Sequence, residues 1–176
     1  MRDLLKNRDG LMLGICNGFQ ALIKLGLVPY GDIVPMTAEC PTLTFNTIGR
    51  HQSRLVRTRV ASNLSPWLSR TAVGDVHTVA ISHGEGRFVA AEPVLDLLKA
   101  NGQIATQYVD EAGVPGMDLT VNPNGSLLAI EGITSPDGRV FGKMGHSERS
   151  SNGLYVNVPG NKYQPIFEAG VEYFTA

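Results

Sequence analysis

The stretch LMLGICNGFQALIKL, residues 11–25, joins a short apolar run to a segment whose apolar residues recur at helical spacing. The junction between the two is Cys16-Asn17-Gly18. The pattern predicts a strand over 11–15, a sharp turn at Cys16 and a helix that ends near Gly26. A strand that passes directly into a helix is typical of α/β proteins, so this stretch indicates the fold class.

The rest of the chain alternates in the same way. Strands are predicted over 43–48, 55–60, 77–82, 87–91, 104–109, 127–133 and 140–144, and the first two are close enough in sequence to pair as a hairpin. Helices are predicted over 92–100 and in the tail 163–174, where Ile166, Phe167, Val171 and Phe174 share one helical face that should dock on the core. We therefore expect an α/β fold with antiparallel hairpins attached to a parallel core.

Composition excludes several classes of protein. A chain of 176 residues with 43% hydrophobic and 18% charged residues fits one globular domain. Fifteen basic against sixteen acidic residues provide no field to attract nucleic acid or an anionic membrane. Two cysteines do not make a disulfide framework, and the sequence contains no signal peptide or apolar span, so a cytoplasmic protein is expected. Neither zinc spacing nor a phosphate-binding loop occurs, and no metal site is predicted.

Cys16 is the candidate nucleophile. Gly14-Ile15-Cys16-Asn17-Gly18 has the form Gly-x-nucleophile-x-Gly at a strand-to-helix junction, where small flanking residues permit the strained turn that exposes the nucleophile. The following helix N-terminus stabilises a thiolate, and the backbone N–H of Asn17 points to the oxyanion that forms when a carbonyl is attacked. The alternative is a small buried cysteine at a tight turn.

His146 and Glu148 are the candidate proton shuttle and its orienting carboxylate. One imidazole serves as base and acid if a carboxylate holds it, and residues i and i+2 of an extended stretch point to the same side. The alternative is a solvated surface pair. The Cys16 motif and the pair of His146 and Glu148 each follow a predicted strand, and open α/β sheets place their sites at such strand ends.

The other histidines carry weaker signals. His51 and His77 belong to no partner pattern and are interpreted as surface or half-buried rings. His83 lies in the glycine-rich turn 82–87, Ser-His-Gly-Glu-Gly-Arg, which would expose backbone polar groups to a small ligand. This turn suits binding better than catalysis.

Five motifs in order resemble the glutaminase domain of phosphoribosylformylglycinamidine synthase, a class I (triad type) glutamine amidotransferase. They are GICNGFQ at 14–20, SHGEGR at 82–87, QYVD at 107–110, NPNGS at 122–126 and GHSER at 145–149. The resemblance runs almost end to end, and SHGEGR together with NPNGS narrows the wider class to this synthase. The chain departs from the family's usual His-Pro-Glu by having Ser147 between His146 and Glu148.

The resemblance implies a flavodoxin-like fold, with a mixed, mostly parallel sheet and helices on both faces. It implies that glutamine is hydrolysed through a thioester on Cys16, that His146 moves protons, and that Glu148 orients it. Gln20 and the loop of Ser82, His83, Gly84 and Glu85 would bind the substrate glutamine. The domain itself would need no cofactor.

The resemblance also implies a partner. Ammonia would pass to a synthetase, on the same polypeptide or on a partner subunit, that uses ATP and Mg to make formylglycinamidine ribonucleotide for purine biosynthesis. Residues 1–176 are expected to be the C-terminal portion of the glutaminase domain, with N-terminal βα units, including the loop that donates a second oxyanion-hole N–H, lying upstream. Two alternatives stay open: a non-catalytic docking module of the same synthase, and a cysteine hydrolase of another α/β family.

Overall fold

The computed structural model describes residues 1–150 and 153–175 of the chain. The helices are α1 (Arg2–Asn7), α2 (Asn17–Leu25), α3 (Leu27–Tyr30), α4 (Glu92–Ala100) and α5 (Ile166–Glu172). The strands are β1 (Met12–Ile15), β2 (Thr42–Thr44), β3 (Gln52–Val60), β4 (Val76–His83), β5 (Arg87–Val89), β6 (Ile104–Tyr108), β7 (Ile130–Thr134) and β8 (Val140–Lys143). The predicted strand, turn and helix around Cys16 are confirmed.

Six strands form one mixed, curled sheet in the order β1-β8-β7-β6-β3-β4. Only β1 and β8 pair in parallel, whereas the other four pairs in the sheet are antiparallel. The prediction of a mostly parallel sheet is therefore wrong. The physical reason lies in the connections. β7 and β8 are joined by the short turn 135–139, which can return a strand only in the antiparallel sense, and residues 61–75 between β3 and β4 contain one turn of 3-10 helix in place of a crossover α-helix.

The predicted hairpin of the first two strands is also wrong. β2 pairs with β5, in a separate two-stranded antiparallel sheet, and β3 pairs with β4 and β6. Leu43 of β2 lies opposite Phe88 of β5, and both belong to the buried cluster formed by α2 and α4. Burial of these two side chains against the helices makes β5 the partner of β2 instead of β3, although Leu43 and Phe88 are 45 positions apart in the sequence.

The two faces of the main sheet carry different helices. On one face Phe19 of α2 packs so closely on β8 that a Cβ at Gly142 would lie 2.2 Å from the Phe19 ring. On the other face Ile166 of α5 joins Phe141 of β8 in a smaller buried cluster. Successive residues of β8 thus face opposite layers, and helices cover both faces of the sheet, as predicted.

The buried face of α5 differs from the prediction. Ile166 is buried, but Phe167, Val171 and Phe174 are exposed, and the residues that join Ile166 in the interior are Ala169 and Gly170. A Cβ at Gly170 would lie 2.3 Å from the Trp67 ring. The helix therefore docks through its small residues, because Trp67 occupies the space that larger side chains would need. Within the described part of the chain, no helix is long and apolar enough to cross a membrane.

Candidate active site

Cys16 lies at the strained turn between β1 and α2. Its φ is 53° and its ψ −106°, in the half of backbone space that non-glycine residues rarely occupy. The turn is held by the bond from the Cys16 N–H to the Lys143 carbonyl, 2.8 Å, so the parallel pairing of β1 and β8 fixes the backbone at the nucleophile position. Strain of this kind persists only where the surrounding structure enforces it.

The sulfur of Cys16 lies in a half-buried environment of mixed polarity. Burial raises the pKa of the Cys16 thiol above its ordinary value, opposed by the backbone N–H of Asn17 and by the positive charge of Arg149. The sulfur also lies 3.8 Å from the carbonyl oxygen of Ser82. The Asn17 amide is thus next to the atom that would attack a carbonyl carbon.

His146 follows β8 and is joined to Glu148. The His146 Nδ1 and a Glu148 carboxylate oxygen lie 2.5 Å apart, and the His146 N–H donates to the Ala80 carbonyl of β4 at 2.8 Å. The predicted contact is present, although residues Ser147–Arg149 form one turn of 3-10 helix and not the extended stretch from which we predicted it. The alternative of a solvated surface histidine does not fit, since His146 is only 9% exposed.

The glycine-rich loop 82–87 begins at the end of β4, leads into β5 and lies beside Cys16. The Gln20 side chain of α2 donates to the Glu85 carbonyl at 2.6 Å, so the loop is tied to the helix that follows the nucleophile. His51 hydrogen-bonds through Nε2 to the hydroxyl of Ser82 at 3.0 Å. The sequence offered no partner for His51, and only the pairing of β3 with β4 brings it to this loop.

Asn46 anchors the loop from beneath. Its amide donates to the carbonyls of His83, at 2.8 Å, and Arg50, at 3.1 Å, and its side-chain oxygen accepts the N–H of Gly86 and faces Nδ1 of His83, both at 3.2 Å. The Asn46 backbone N–H donates to the Gly84 carbonyl at 2.9 Å. A single buried asparagine therefore fixes the loop at several points. The sequence held no signal for this, because Asn46 is far from the loop along the chain.

The Asn-Pro-Asn-Gly-Ser turn holds the far end of the same loop. The Asn124 amide donates to the Gly86 carbonyl at 2.7 Å, and the Ser126 hydroxyl accepts the Phe88 N–H at 3.0 Å. Both side chains are fully buried. The turn at 122–126, which the sequence marked as a motif without a role, thus supports the loop beside Cys16.

Burial also determines the state of His83. Its ring is 4% exposed, and desolvation lowers the pKa of His83 to about 4. A neutral ring hydrogen-bonded to Asn46 is a structural part of the loop. Of the predicted substrate-binding residues, His83 has a buried ring that faces Asn46, whereas Glu85 has an exposed side chain.

The arrangement joins a half-buried thiol, an amide N–H, an oriented imidazole and a rigid polar loop. A model of the CobB/CobQ-like glutamine amidotransferase domain matches residues 1–174. The chain belongs to this family.

Two curated relatives of this amidotransferase domain carry the same name. Phosphoribosylformylglycinamidine synthase subunit PurQ of Aquifex aeolicus is 38% identical over 143 residues, covering 81% of this chain and 57% of that protein. The protein of the same name from Salinibacter ruber is 34% identical over 171 residues, covering 96% of this chain and 66% of that protein. The chain thus spans little more than half of the Aquifex relative.

A solved structure has the same fold as this amidotransferase domain. It is described as the structure of PurLQS from Thermotoga maritima, with 28% identity and a TM-score of 0.68, and the match covers 93% of this chain and 62% of that one.

Proposed function

We propose that the protein hydrolyses glutamine to glutamate and ammonia through a thioester on Cys16. The observation that carries the proposal is the strained turn at Cys16, followed directly by the Asn17 N–H, at the end of a strand paired in parallel with the one that leads to His146 and Glu148. A strained, pre-positioned thiol next to an amide donor is the arrangement that acyl transfer requires.

In the first half of the reaction the Cys16 thiol gives its proton to His146 and attacks the carboxamide carbon of glutamine. The carbonyl oxygen becomes negatively charged and is stabilised by the Asn17 N–H. As the intermediate collapses, His146 returns the proton to the departing nitrogen, ammonia leaves, and a γ-glutamyl thioester remains on Cys16. Glu148 stabilises the imidazolium that exists between the two proton transfers.

In the second half a water molecule attacks the thioester carbon while His146 takes its proton. The carbon–sulfur bond breaks, glutamate leaves, and the proton returns to the Cys16 sulfur. The residues Gln20, Ser82, Gly84 and Glu85 are proposed to hold the substrate glutamine. Ser82, Gly84 and Glu85 belong to the loop beside Cys16, and Gln20 of α2 is hydrogen-bonded to that loop. His83 is proposed to contribute only its backbone.

We further propose that the ammonia is consumed by a synthetase partner in the ATP-dependent synthesis of formylglycinamidine ribonucleotide. The relatives are named as subunits of phosphoribosylformylglycinamidine synthase, and the similar solved structure is of an assembly, PurLQS. ATP and Mg would be bound by that partner. We also propose that the protein is cytoplasmic, since Cys16 and Cys40 are free thiols, as is usual in a reducing compartment.

Covalent labelling tests the first proposal. A glutamine analogue that carries an electrophilic diazoketone in place of the carboxamide should modify Cys16 of the intact protein, as located by mass spectrometry of peptides. Cys40→Ala is the matched control and should be labelled like the parent protein, whereas Cys16→Ala should not be labelled. Failure of the analogue to label a folded protein with Cys16 intact would contradict the proposal. In an activity assay, hydrolysis of esters without hydrolysis of glutamine would favour a cysteine hydrolase of another α/β family.

Nitrogen sources test the second proposal. In the complete synthase assembly, Cys16→Ala should abolish synthesis from glutamine and leave synthesis from ammonium chloride nearly unchanged. Equal loss from both sources would contradict a role limited to the supply of ammonia, and would favour a docking role for the chain.

A further inference from the structure

A buried ion pair lies directly beneath the turn that carries His146. Lys143, the last residue of β8, and Glu131, in the neighbouring β7, are both fully buried, and the lysine amine lies 3.4 Å from a carboxylate oxygen. Two charges removed from water are costly, and they persist only where good geometry and further hydrogen bonds compensate. The remaining contacts of both side chains therefore indicate what the pair does.

Among the described residues, the further hydrogen bonds of the Lys143 amine are to the turn. Its amine donates to the Gly145 carbonyl at 2.9 Å and to the Ser147 hydroxyl at 2.8 Å. These are the residues immediately before and after His146. The Ser147 hydroxyl in turn donates to the side-chain oxygen of Gln164, so the turn is also tied to the segment before α5.

Glu131 binds the same turn from its neighbouring strand. Its carboxylate accepts the Gly145 N–H at 2.5 Å, and its other oxygen accepts the hydroxyl of Thr106. A Cβ at Gly145 would lie 2.9 Å from the Glu131 carboxylate and 3.2 Å from the Lys143 amine. The ion pair thus packs directly against the backbone of the turn.

The ion pair supplies hydrogen-bond partners to the buried polar groups of the turn. The turn places a carbonyl, an N–H and a hydroxyl in the protein interior, and a lysine and a carboxylate supply the donor and acceptor that these groups need. An apolar pair of the same size would fill the space but leave the groups unpaired. The Lys143 carbonyl accepts the Cys16 N–H, and a substitution of the side chain leaves that backbone bond in place. Among the described residues the Lys143 amine bonds to neither Cys16 nor the imidazole of His146, so the side chain acts through the turn.

We propose that Lys143 and Glu131 are positioning residues for catalysis, which fix the backbone on both sides of His146 and thereby hold its imidazole in place for Cys16. The inference rests on the proposed glutaminase function. A displacement of about 1 Å at a reacting group lowers turnover on the order of 100-fold.

The test compares kcat, KM and stability in the intact protein. Lys143→Met should lower glutaminase kcat about 10- to 100-fold, with a smaller change in KM, because the loop 82–87 is held independently by Asn46. Two controls are matched to it: Lys99→Met removes an exposed lysine of α4, and Leu98→Ala destabilises the core at a buried position of the same helix. Both should keep the parent kcat below their unfolding temperatures.

A double variant separates the effect of Lys143 on the position of His146 from its effect on the stability of the protein. Lys143→Met leaves Glu131 as an unpaired buried charge, and adding Glu131→Leu removes that charge, so Lys143→Met/Glu131→Leu should recover part of the thermal stability that Lys143→Met loses. Its kcat should stay low, since the turn still lacks its hydrogen bonds. Recovery of kcat together with stability would overturn the proposal. If Lys143→Met does not fold, Ser147→Ala removes one of the same contacts in a smaller change, and an unchanged kcat there would equally overturn it.

Alkylation of Cys16 distinguishes failure of this inference from failure of the proposed function. The rate of reaction with iodoacetamide as a function of pH depends on His146 but requires no glutamine. A changed profile in Lys143→Met and an unchanged one in Leu98→Ala would support the positioning role even if the parent protein did not hydrolyse glutamine. Identical profiles in the parent and in Lys143→Met would contradict it.

Discussion

The imidazole of His146 is bound at one nitrogen only: Nδ1 lies 2.5 Å from the Glu148 carboxylate, and Nε2 is buried without a hydrogen-bond partner among the described residues. An Nδ1–H that donates to a carboxylate leaves Nε2 as the nitrogen that accepts and returns a proton. A buried nitrogen without a partner is costly, and such groups in native proteins often belong to a site whose ligand completes them.

The first prediction concerns this pair. His146→Gln should lower glutaminase kcat by about 10²- to 10⁴-fold, the usual contribution of a general acid and base. Glu148→Gln should cost less, since the carboxylate is partly exposed and water can replace it. Steady-state kinetics with both variants measure the difference, and labelling of Cys16 by the diazoketone analogue shows that the thiol is still accessible. A larger loss in Glu148→Gln than in His146→Gln would contradict these roles.

The second prediction concerns the ionisation of Cys16. Burial raises the pKa of the thiol, so the thiolate fraction, and with it the rate of alkylation, should increase as pH rises and should still be increasing above neutral pH. Arg149 lowers the same pKa through its charge. Arg149→Gln should therefore raise the pKa of Cys16 further and slow alkylation at pH 7, whereas Arg50→Gln, in an exposed residue with no effect on this pKa, should not. Faster alkylation in Arg149→Gln would refute the electrostatic argument.

Elements that depend on contacts between neighbouring residues are predictable from the sequence, whereas pairings that depend on contacts between distant residues are not. The strand, turn and helix around Cys16 depend on neighbouring residues, so the pattern of residues 11–25 predicts them correctly. The sense of the sheet and the pairing of β2 with β5 depend on burial against α2 and α4, which no local pattern contains. For the same reason Phe167 and Val171 were assigned to the wrong face of α5, since the space there is set by Trp67.

The residues of the candidate site also divide into those that a local motif predicts and those that only distant contacts bring into place. Cys16, His146 and Glu148 were predicted because their spacing is chemically meaningful by itself. Lys143 and Glu131 were not, since a charged residue at a strand position usually faces water and only the packing of β7 on β8 buries both. Asn46 was missed because its contacts to the loop 82–87 exist only in the folded chain.

The third prediction concerns Asn46. Asn46→Ala removes the partner of several buried groups of the loop 82–87, and each group left unpaired costs about 1 to 3 kcal/mol. The loop should loosen, so KM for glutamine should rise more than kcat falls, and the free energy of unfolding should decrease. Asn63→Ala, at an exposed asparagine after β3, is the control and should change neither quantity. An unchanged KM in Asn46→Ala would show that the loop does not hold the substrate.

The fourth prediction concerns pH and stability through His83. Its pKa is about 4 in the folded protein, below the ordinary value of about 6.5 for an unfolded chain. The unfolded state therefore binds more protons below pH 6.5, and the free energy of unfolding should fall as pH drops from 6.5 to 4, by about 3 kcal/mol at most. Urea unfolding as a function of pH measures this dependence. His83→Gln should flatten the curve in that interval, and a parallel curve for the variant would assign the effect to other groups.

The fifth prediction separates the two glycines of Gly14-Ile15-Cys16-Asn17-Gly18. A Cβ at Gly14 would lie 2.7 Å from backbone atoms of Gly18 and 2.5 Å from Leu22, so Gly14→Ala should push α2 away from β1 and displace Cys16. A Cβ at Gly18 meets nothing within 4 Å, and Gly18 lies in the first turn of α2, where alanine is the better helix former by up to about 1 kcal/mol. Thermal unfolding should therefore show Gly14→Ala destabilised and Gly18→Ala unchanged or stabilised. Only the first glycine is then required by the turn that exposes the nucleophile, and equal destabilisation by both substitutions would show that the second glycine is needed there as well.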